Sequence, residues 1–340
     1  MLRLADAWTW DFWLADDGRS YHLYFLKAPR HIGHPDGRHW NVSIGHATSP
    51  DLADWTVVSD AITPSDGPAF DDVATWTGSV VRGRDGTWFM FYTGVGSRER
   101  GPRQRIGLAT SADLRHWIKH PGSPVLDSDP RWYERLPDAL RLDEAWRDPW
   151  VLADPDGDGW HMLLTARARD APAGQRGVIG HARSDDLIHW QAQPPLSRPG
   201  GGFGHLEVPQ VEVVGGRPVL VFSCLADGLS DERRKAGMPG GIWCLPCESP
   251  LGPFDVNRAV RMTDESLYSG RLVRDRAGRW IMLAFRNHGP DGRFIGEMTD
   301  PMPIEWEAGG SALKVDVVAP SASSSAHPHR TALEVSKWHR

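Results

Sequence analysis

The sequence predicts an all-β protein, a five-bladed β-propeller with four-stranded antiparallel blades. Two observations carry this reading. A short glycine turn followed by an apolar strand recurs five times along the 340 residues. A second apolar segment, closing on an aromatic residue, follows each of them. The turns are spaced by roughly 60–70 residues, which suits four strands and is too long for two.

The glycine turns come first. They are Asp17-Gly18-Arg19 before YHLYFL, Asp85-Gly86-Thr87 before WFMFYTG, Asp156-Gly157-Asp158-Gly159 before WHMLLTA, Gly215-Gly216-Arg217 before PVLVFSC, and Ala277-Gly278-Arg279 before WIMLAF. Each glycine is expected to supply the positive φ of a tight hairpin. Upstream of each turn lies another strand: WTWDFWLAD (8–16), WTGSVVRG (76–83), WRDPWVLAD (146–154), LEVPQVEVV (206–214) and LYSGRLVRD (267–275). Downstream come IGHATSPDLADW (44–55), IGLATSADLRHW (106–117) and IGHARSDDLIHW (179–190), then the weaker GIWCLPCESPLGPF (241–254) and FIGEMTDPMPIEW (294–306). In the S-x-D-L-x-x-W half, Ser and Asp side chains should cap backbone amides, and the Trp should pack on the next strand. The 17 Trp residues are thereby mostly structural. The propeller is expected over 1–317 with a closing strand near 311–317, and 318–340 as a Ser-, Ala-, His- and Pro-rich tail, closing or disordered.

Composition narrows the function. Hydrophobic residues make 40% of the chain, and Gly (36) and Pro (27) make it turn-rich, so a large core is expected rather than disorder. A net charge of −6 without a basic stripe speaks against a nucleic-acid partner. No apolar run is long enough to span a bilayer, and no secretory signal is visible before Trp13; the expectation is a cytoplasmic protein with no membrane partner, although a trimmed secreted form would read the same way. Cys224, Cys244 and Cys247 are an odd set without framework spacing, read as buried or incidental thiols. Asp154-Pro155-Asp156-Gly157-Asp158-Gly159 resembles the start of a calcium loop, but Thr165 stands where an EF-hand needs Glu, so a solvated hairpin turn is expected. His31, His34 and His39 share a Gly/Pro-rich loop (29–41) without metal-ligand spacing; a place at the channel rim is expected. The charged run 98–105 reads as a solvated loop. No metal and no cofactor are expected.

The first strand of each propeller blade lines the channel. Asp11, Asp148 and Glu207 lie seven, nine and eight residues before Gly18, Gly157 and Gly215, in units one, three and four. The corresponding places in units two and five are Gly78-Ser79 and Ser269-Gly270. Three carboxylates therefore converge on one end of one channel. Trp10, Trp13, Pro149, Trp150 and Pro209 bracket them and reduce their solvation, which drives carboxyl pKa values apart. Arg147 adjoins Asp148 and can hold a neighbouring site ionised. His205 and Gln210 flank Glu207. Two carboxyls with unequal protonation are what glycoside hydrolysis uses. A solvated or cation-binding channel is the plainer alternative.

At these residues the chain resembles the fructan-acting clan of glycoside hydrolase families 32 and 68. Trp10-Asp11-Phe12-Trp13 is similar to the family 68 nucleophile motif, and Trp76-Thr77-Gly78-Ser79 to the clan's Trp-Ser-Gly-Ser segment. Arg147-Asp148-Pro149 matches its Arg-Asp-Pro motif, and Glu207-Val208-Pro209 is similar to Glu-Cys-Pro. Residues 45–52 also follow a family 32 segment. The resemblance implies Asp11 as nucleophile, Glu207 as acid/base and Asp148 as transition-state stabiliser, with Trp10, Trp76, Ser79, Arg147 and Tyr268 forming the sugar pocket. It implies a retaining enzyme for a β-fructofuranoside, such as sucrose or a short fructan, and an Asp11–Glu207 carboxyl separation of about 5–5.5 Å. The chain departs from family 32 in having Trp-Asp-Phe-Trp-Leu for Asn-Asp-Pro-Asn-Gly, in Leu26 or Lys27 for a sugar-contacting Gln, and in the expected absence of a C-terminal β-sandwich. Transfer to a sugar acceptor, an inverting arabinofuranosidase- or xylosidase-like enzyme of the family 43 kind, and a non-catalytic sugar-binding propeller remain open.

Overall fold

The computed structural model describes residues 1–98, 103–136 and 143–316. The expected tail (318–340) and part of the charged run 98–105 lie outside them. Five antiparallel sheets form the fold. The first holds β1 (Ala7–Asp16), β2 (Tyr21–Pro29), β3 (Ser43–Ser49) and β4 (Thr56–Val57). The second holds β5 (Ala74–Arg82), β6 (Trp88–Val95), β7 (Gln104–Ser111) and β8 (Ile118–Lys119). The third holds β9 (Trp146–Ala153), β10 (Trp160–Arg167), β11 (Gly177–Ser184) and β12 (Gln191–Gln193). The fourth holds β13 (Glu207–Val214), β14 (Arg217–Cys224), β15 (Gly241–Pro246) and β16 (Val260–Arg261). In the fifth, β17 (Leu267–Arg274) and β18 (Trp280–His288) are followed by a divided third strand, β19 (Phe294–Met298) and β20 (Met302–Trp306), and by β21 (Leu313–Val315). The first strands β1, β5, β9, β13 and β17 neighbour one another around the ring, so the chain is a five-bladed propeller. Among the described residues the α-helical content is one short helix, α1 (Asp231–Lys235).

Sheets stack face to face, and the core lies in the seams between blades. Phe91, Ile106 and Leu108 of the second blade share one apolar cluster with Trp146, Leu164 and Val178 of the third. Apolar residues alternate into these seams because successive strand residues face opposite sides.

Four of the five hairpin turns contain a glycine with positive φ: Gly18, Gly86, Gly215 with Gly216, and Gly278. The third turn differs. Neither Gly157 nor Gly159 has a positive φ; Asp154 Oδ1 accepts from Asp156 N instead. At Gly159 a Cβ would stand 3.0 Å from Ser184 O, so close approach rather than turn geometry selects glycine there. The S-x-D-L-x-x-W turns cap as expected. Ser184 Oγ accepts from Asp186 N and Leu187 N, and Asp186 Oδ1 accepts from Ile188 N and His189 N. The same pattern recurs at Ser49–Asp51 and, in part, at Ser111–Asp113. Leu52, Leu114 and Leu187 sit at φ 69°, 62° and 67° to complete them. Trp117 meets Tyr24 of the preceding blade, and Trp190 meets Phe91 of the preceding blade. These rings reach across the seam between blades.

Cys224 and Cys244 are buried and Cys247 is half-buried, with no disulfide among the three. Among the described residues no group of three or more His, Cys, Asp or Glu is arranged to hold a metal ion, and no helix is long and apolar enough to cross a membrane.

Candidate active site

Every inner strand carries a register irregularity at the same level of the channel. It falls between Trp10 and Phe12 in β1, Trp76 and Gly78 in β5, and Glu207 and Gln210 in β13, and between Tyr268 and Arg271 in β17. In β9 it lies opposite Leu163–Thr165, where Arg147 and Trp150 are the flanking partners. A bulge re-aims side chains that a regular strand would send to alternate faces. Three of the bulged residues take the left-handed conformation without being glycine: Asp148 at φ 56°, Val208 at 53° and Ser269 at 51°. For a β-branched residue such as Val208 that is a strained geometry, costing about 1–3 kcal/mol.

The bulges align two rings of residues. Trp10, Trp76, Arg147, Glu207 and Tyr268 precede the bulge; Asp11, Thr77, Asp148, Val208 and Ser269 form it. The equivalent of Asp11 in the second blade is therefore Thr77, not Gly78-Ser79, and in the fifth blade it is Ser269. Counting back from the glycine turns misses this because the hairpin loops differ in length, from two residues (215–216) to six (154–159). Ser79 lies two residues further along the strand, where its hydroxyl accepts from Val151 N at 3.2 Å and ties β5 to β9.

The three acids come together in different environments. Asp11 accepts from Thr77 Oγ1 at 3.1 Å and from Ser269 Oγ. Burial and the neighbouring Asp148 raise its pKa to about 6, with Glu207 adding to the rise and the two hydroxyls opposing it. Asp148 is closed off, with its side chain 3% exposed. Its Oδ2 accepts from Thr165 Oγ1 at 2.7 Å and Val208 N at 3.2 Å, and Arg147 Nε lies 3.6 Å away. Burial still lifts its pKa, against the pull of Arg147. Glu207 is more open, at 24%. Arg147 Nη2 donates to its Oε1 at 2.5 Å, and the Tyr268 hydroxyl donates to its Oε2. Tyr268 keeps its proton, since burial and Glu207 push its pKa well up.

Arg147 is itself held on its far side. Its Nη1 donates to Asp143 Oδ2 (3.2 Å) and Gln104 Oε1 (3.1 Å), and His205 Nδ1 lies 3.4 Å from Nη2. His205 thus belongs to the site. Gln210 does not; its amide bonds Leu272 through both N–H and C=O and so joins β13 to β17.

The 29–41 loop supplies the rim. His39 O accepts from Trp76 Nε1 at 2.9 Å, and its ring lies edge-on to Trp10 and Trp76. Burial, with Arg38 and Arg147 nearby, lowers the His39 pKa well below the usual value, so it is a neutral imidazole. Arg38 stacks over Phe294 and Trp10 at 4.0 and 5.6 Å. Sequence reasoning flagged the loop but not Arg38, and it missed Thr77, Thr165 and Asp143. These are ordinary polar residues, and only the bulges and the ring closure bring them to the acids. Chemically, the site offers a carboxylate held by two hydroxyls, an ion-paired carboxyl open to solvent, and a third that is fixed and enclosed. Aromatic rings line the approach.

Comparison with known proteins follows the same lines. Beta-fructofuranosidase 1 of Zea mays is 30% identical over 229 residues, 65% of this chain and 30% of that protein. Sucrose:sucrose 1-fructosyltransferase of Festuca arundinacea is 29% identical over 207 residues, 58% of this chain and 28% of that protein. The chain thus spans about a third or less of these curated relatives. An inulosucrase from Halalkalicoccus jeotgali, solved with kestose, has the same fold (TM-score 0.74, 20% identity, 93% of this chain and 90% of that one). Residues 14–288 match the glycosyl hydrolases family 32 N-terminal domain. The match begins after Asp11, so that residue's place in the site rests on the bulge geometry and its hydrogen bonds. By this match over most of its length, the chain belongs to glycosyl hydrolase family 32.

Proposed function

We propose that the protein is a retaining glycoside hydrolase acting on a β-fructofuranoside, through a covalent intermediate on Asp11. The carrying observation is that Asp11, Glu207 and Asp148 come near enough to act on one another, with Asp148 in a closed, hydrogen-bonded setting. Asp11, aligned by Thr77 and Ser269, attacks the anomeric carbon. Glu207 protonates the leaving oxygen and then takes a proton from water; its exposure lets both reach it. Asp148 stays fixed and accepts hydrogen bonds from ring hydroxyls, which strengthen as the oxocarbenium-like charge develops. In the free protein Arg147 grips Glu207, so sugar binding must draw this guanidinium toward substrate hydroxyls before Glu207 can act as an acid.

The test is turnover of sucrose, 1-kestose and an aryl β-fructofuranoside by wild type, Asp11→Asn and Glu207→Gln. Both substitutions should lower kcat at least ~1,000-fold with the fold intact. NMR of the first-released anomer should show retention; inversion would assign Asp11 a base role. A second reading, transfer to a sugar acceptor, is favoured by the fructosyltransferase among the relatives. Trisaccharide accumulation at high sucrose would select it.

A further inference from the structure

We propose that Arg271 is a positioning residue for this reaction: one buried guanidinium that fixes the backbone beside both the nucleophile and the acid/base. The inference rests on the roles assigned above to Asp11 and Glu207. Arg271 lies on β17, beyond the Ser269 bulge, and is 1% exposed. Its Nε donates to Phe12 O at 3.0 Å, the carbonyl that follows Asp11. Its Nη1 donates to Val208 O (3.3 Å) and Pro209 O (3.0 Å), the carbonyls that follow Glu207. One planar fork thereby joins three blades at the level of the bulges. Lys has no such fork and could not hold both sets of carbonyls.

The same guanidinium adds a buried charge near the site. It lies 5.3 Å over the Trp150 ring, makes no direct ion pair among the described residues, and feels the charges of Asp148 and Asp11. Burial lowers its pKa to about 10, with Asp148, Asp11 and Glu212 opposing; it remains a cation at neutral pH. Nη2 has no hydrogen-bond partner among the described residues. Arg271 also lines a cavity of about 490 Å³ with Trp150, Gln210 and Glu212, on the channel side away from the acids.

The charged and titratable groups around it are known. Asp11 comes from β1, Asp148 from β9 and Glu212 from β13. Asp11 in turn faces Asp148, Glu207, Tyr268 of β17 and Arg38 of the 29–41 loop, and Arg147 stands beside Asp148 and Glu207. From β5 it receives the Thr77 hydroxyl.

Arg271→Met and Arg271→Lys are compared with wild type in the full chain, with sucrose as probe. Arg271→Met should lower kcat about 100-fold with KM changed less than about threefold, and move the acid limb of the pH profile up by about one unit. Arg271→Lys should return the acid limb to its wild-type place but recover only part of kcat. An unmoved acid limb in the Met chain, with activity falling only as the folded fraction falls, would overturn the proposal. If the Met chain does not fold, the Lys chain decides: wild-type kcat there removes the positioning role. A second arm needs no turnover. The pH at which wild type and Asp11→Asn differ in Tm is measured with and without Arg271→Met; the crossover should rise by about one unit. No turnover of any fructoside, with that crossover moved, leaves Arg271 beside Asp11 and counts against the proposed reaction instead.

Discussion

In the proposed reaction Asp11 must be ionised to attack, yet it is buried beside two other carboxyls. With its pKa raised to about 6, kcat/KM should fall as pH drops through about 6, an acid limb well above the ordinary carboxylate range. A pH–rate profile on sucrose checks this; a limb near 4 would mean that Asp11 is better solvated than the structure shows. The same pKa has a stability consequence. The folded state holds the Asp11 proton more tightly than the unfolded chain, so its contribution is fully present below about 4 and lost as pH rises through 6. Asp11→Asn should therefore raise Tm at pH 7.5, by an amount set by roughly 3 kcal/mol at most, and the gain should vanish near pH 4. Thr77→Val removes one donor from the carboxylate without changing side-chain volume much. Its acid limb should shift upward and kcat fall about tenfold, with Tm nearly unchanged.

At the scale of strands, the bulges decide which residues face one another at the channel mouth. The repeat made the five blades, their inner strands and their turns readable, because glycine turns and S-x-D-L-x-x-W caps leave residue signatures. A bulge leaves none: Thr77 and Ser79 differ in role only through one extra backbone residue. The three acids, Arg147, Trp10 and Trp76 could be named as candidates because each falls in a motif on an inner strand, whereas Arg271 and Thr165 read as ordinary strand residues. Strain at the bulge is open to measurement at Ser269, which is fully buried at φ 51°. Ser269→Ala and Ser269→Gly both lose the hydroxyl that binds Asp11, so both should lower kcat. Only glycine accepts the backbone without strain. The Gly chain should therefore be more stable than the Ala chain by about 1 kcal/mol, the reverse of the usual strand order. Equal Tm values would show that the bulge relaxes at no cost.

Across the whole molecule, one seam differs from the others. Successive blades are linked by the chain itself, whereas among the described residues the fifth meets the first through contacts between strands, side chains and the N-terminal segment. Met298 N donates to Leu2 O at 3.0 Å, Arg30 Nη2 to Ile295 O at 3.3 Å, and the Tyr21 hydroxyl to Arg274 O at 3.0 Å. Arg276 pairs with Asp16 at 2.5 Å. This seam also crosses the active site, since Asp11 belongs to β1 and its donor Ser269 to β17. Loosening it should therefore cost activity before it costs the fold. Arg30→Ala also removes a bond to Ala7 O and a cation stacked on Trp8, so a loss of about 1–3 kcal/mol is expected. For a chain of this size that is a Tm drop of several degrees. On partial denaturation, turnover of sucrose should be lost at lower urea than the far-ultraviolet signal of the sheets. Arg131→Ala serves as the control, because Arg131 is exposed and pairs locally with Asp129; it should change neither. Coincident loss of turnover and sheet signal in Arg30→Ala would show that the ring opens only when every blade unfolds.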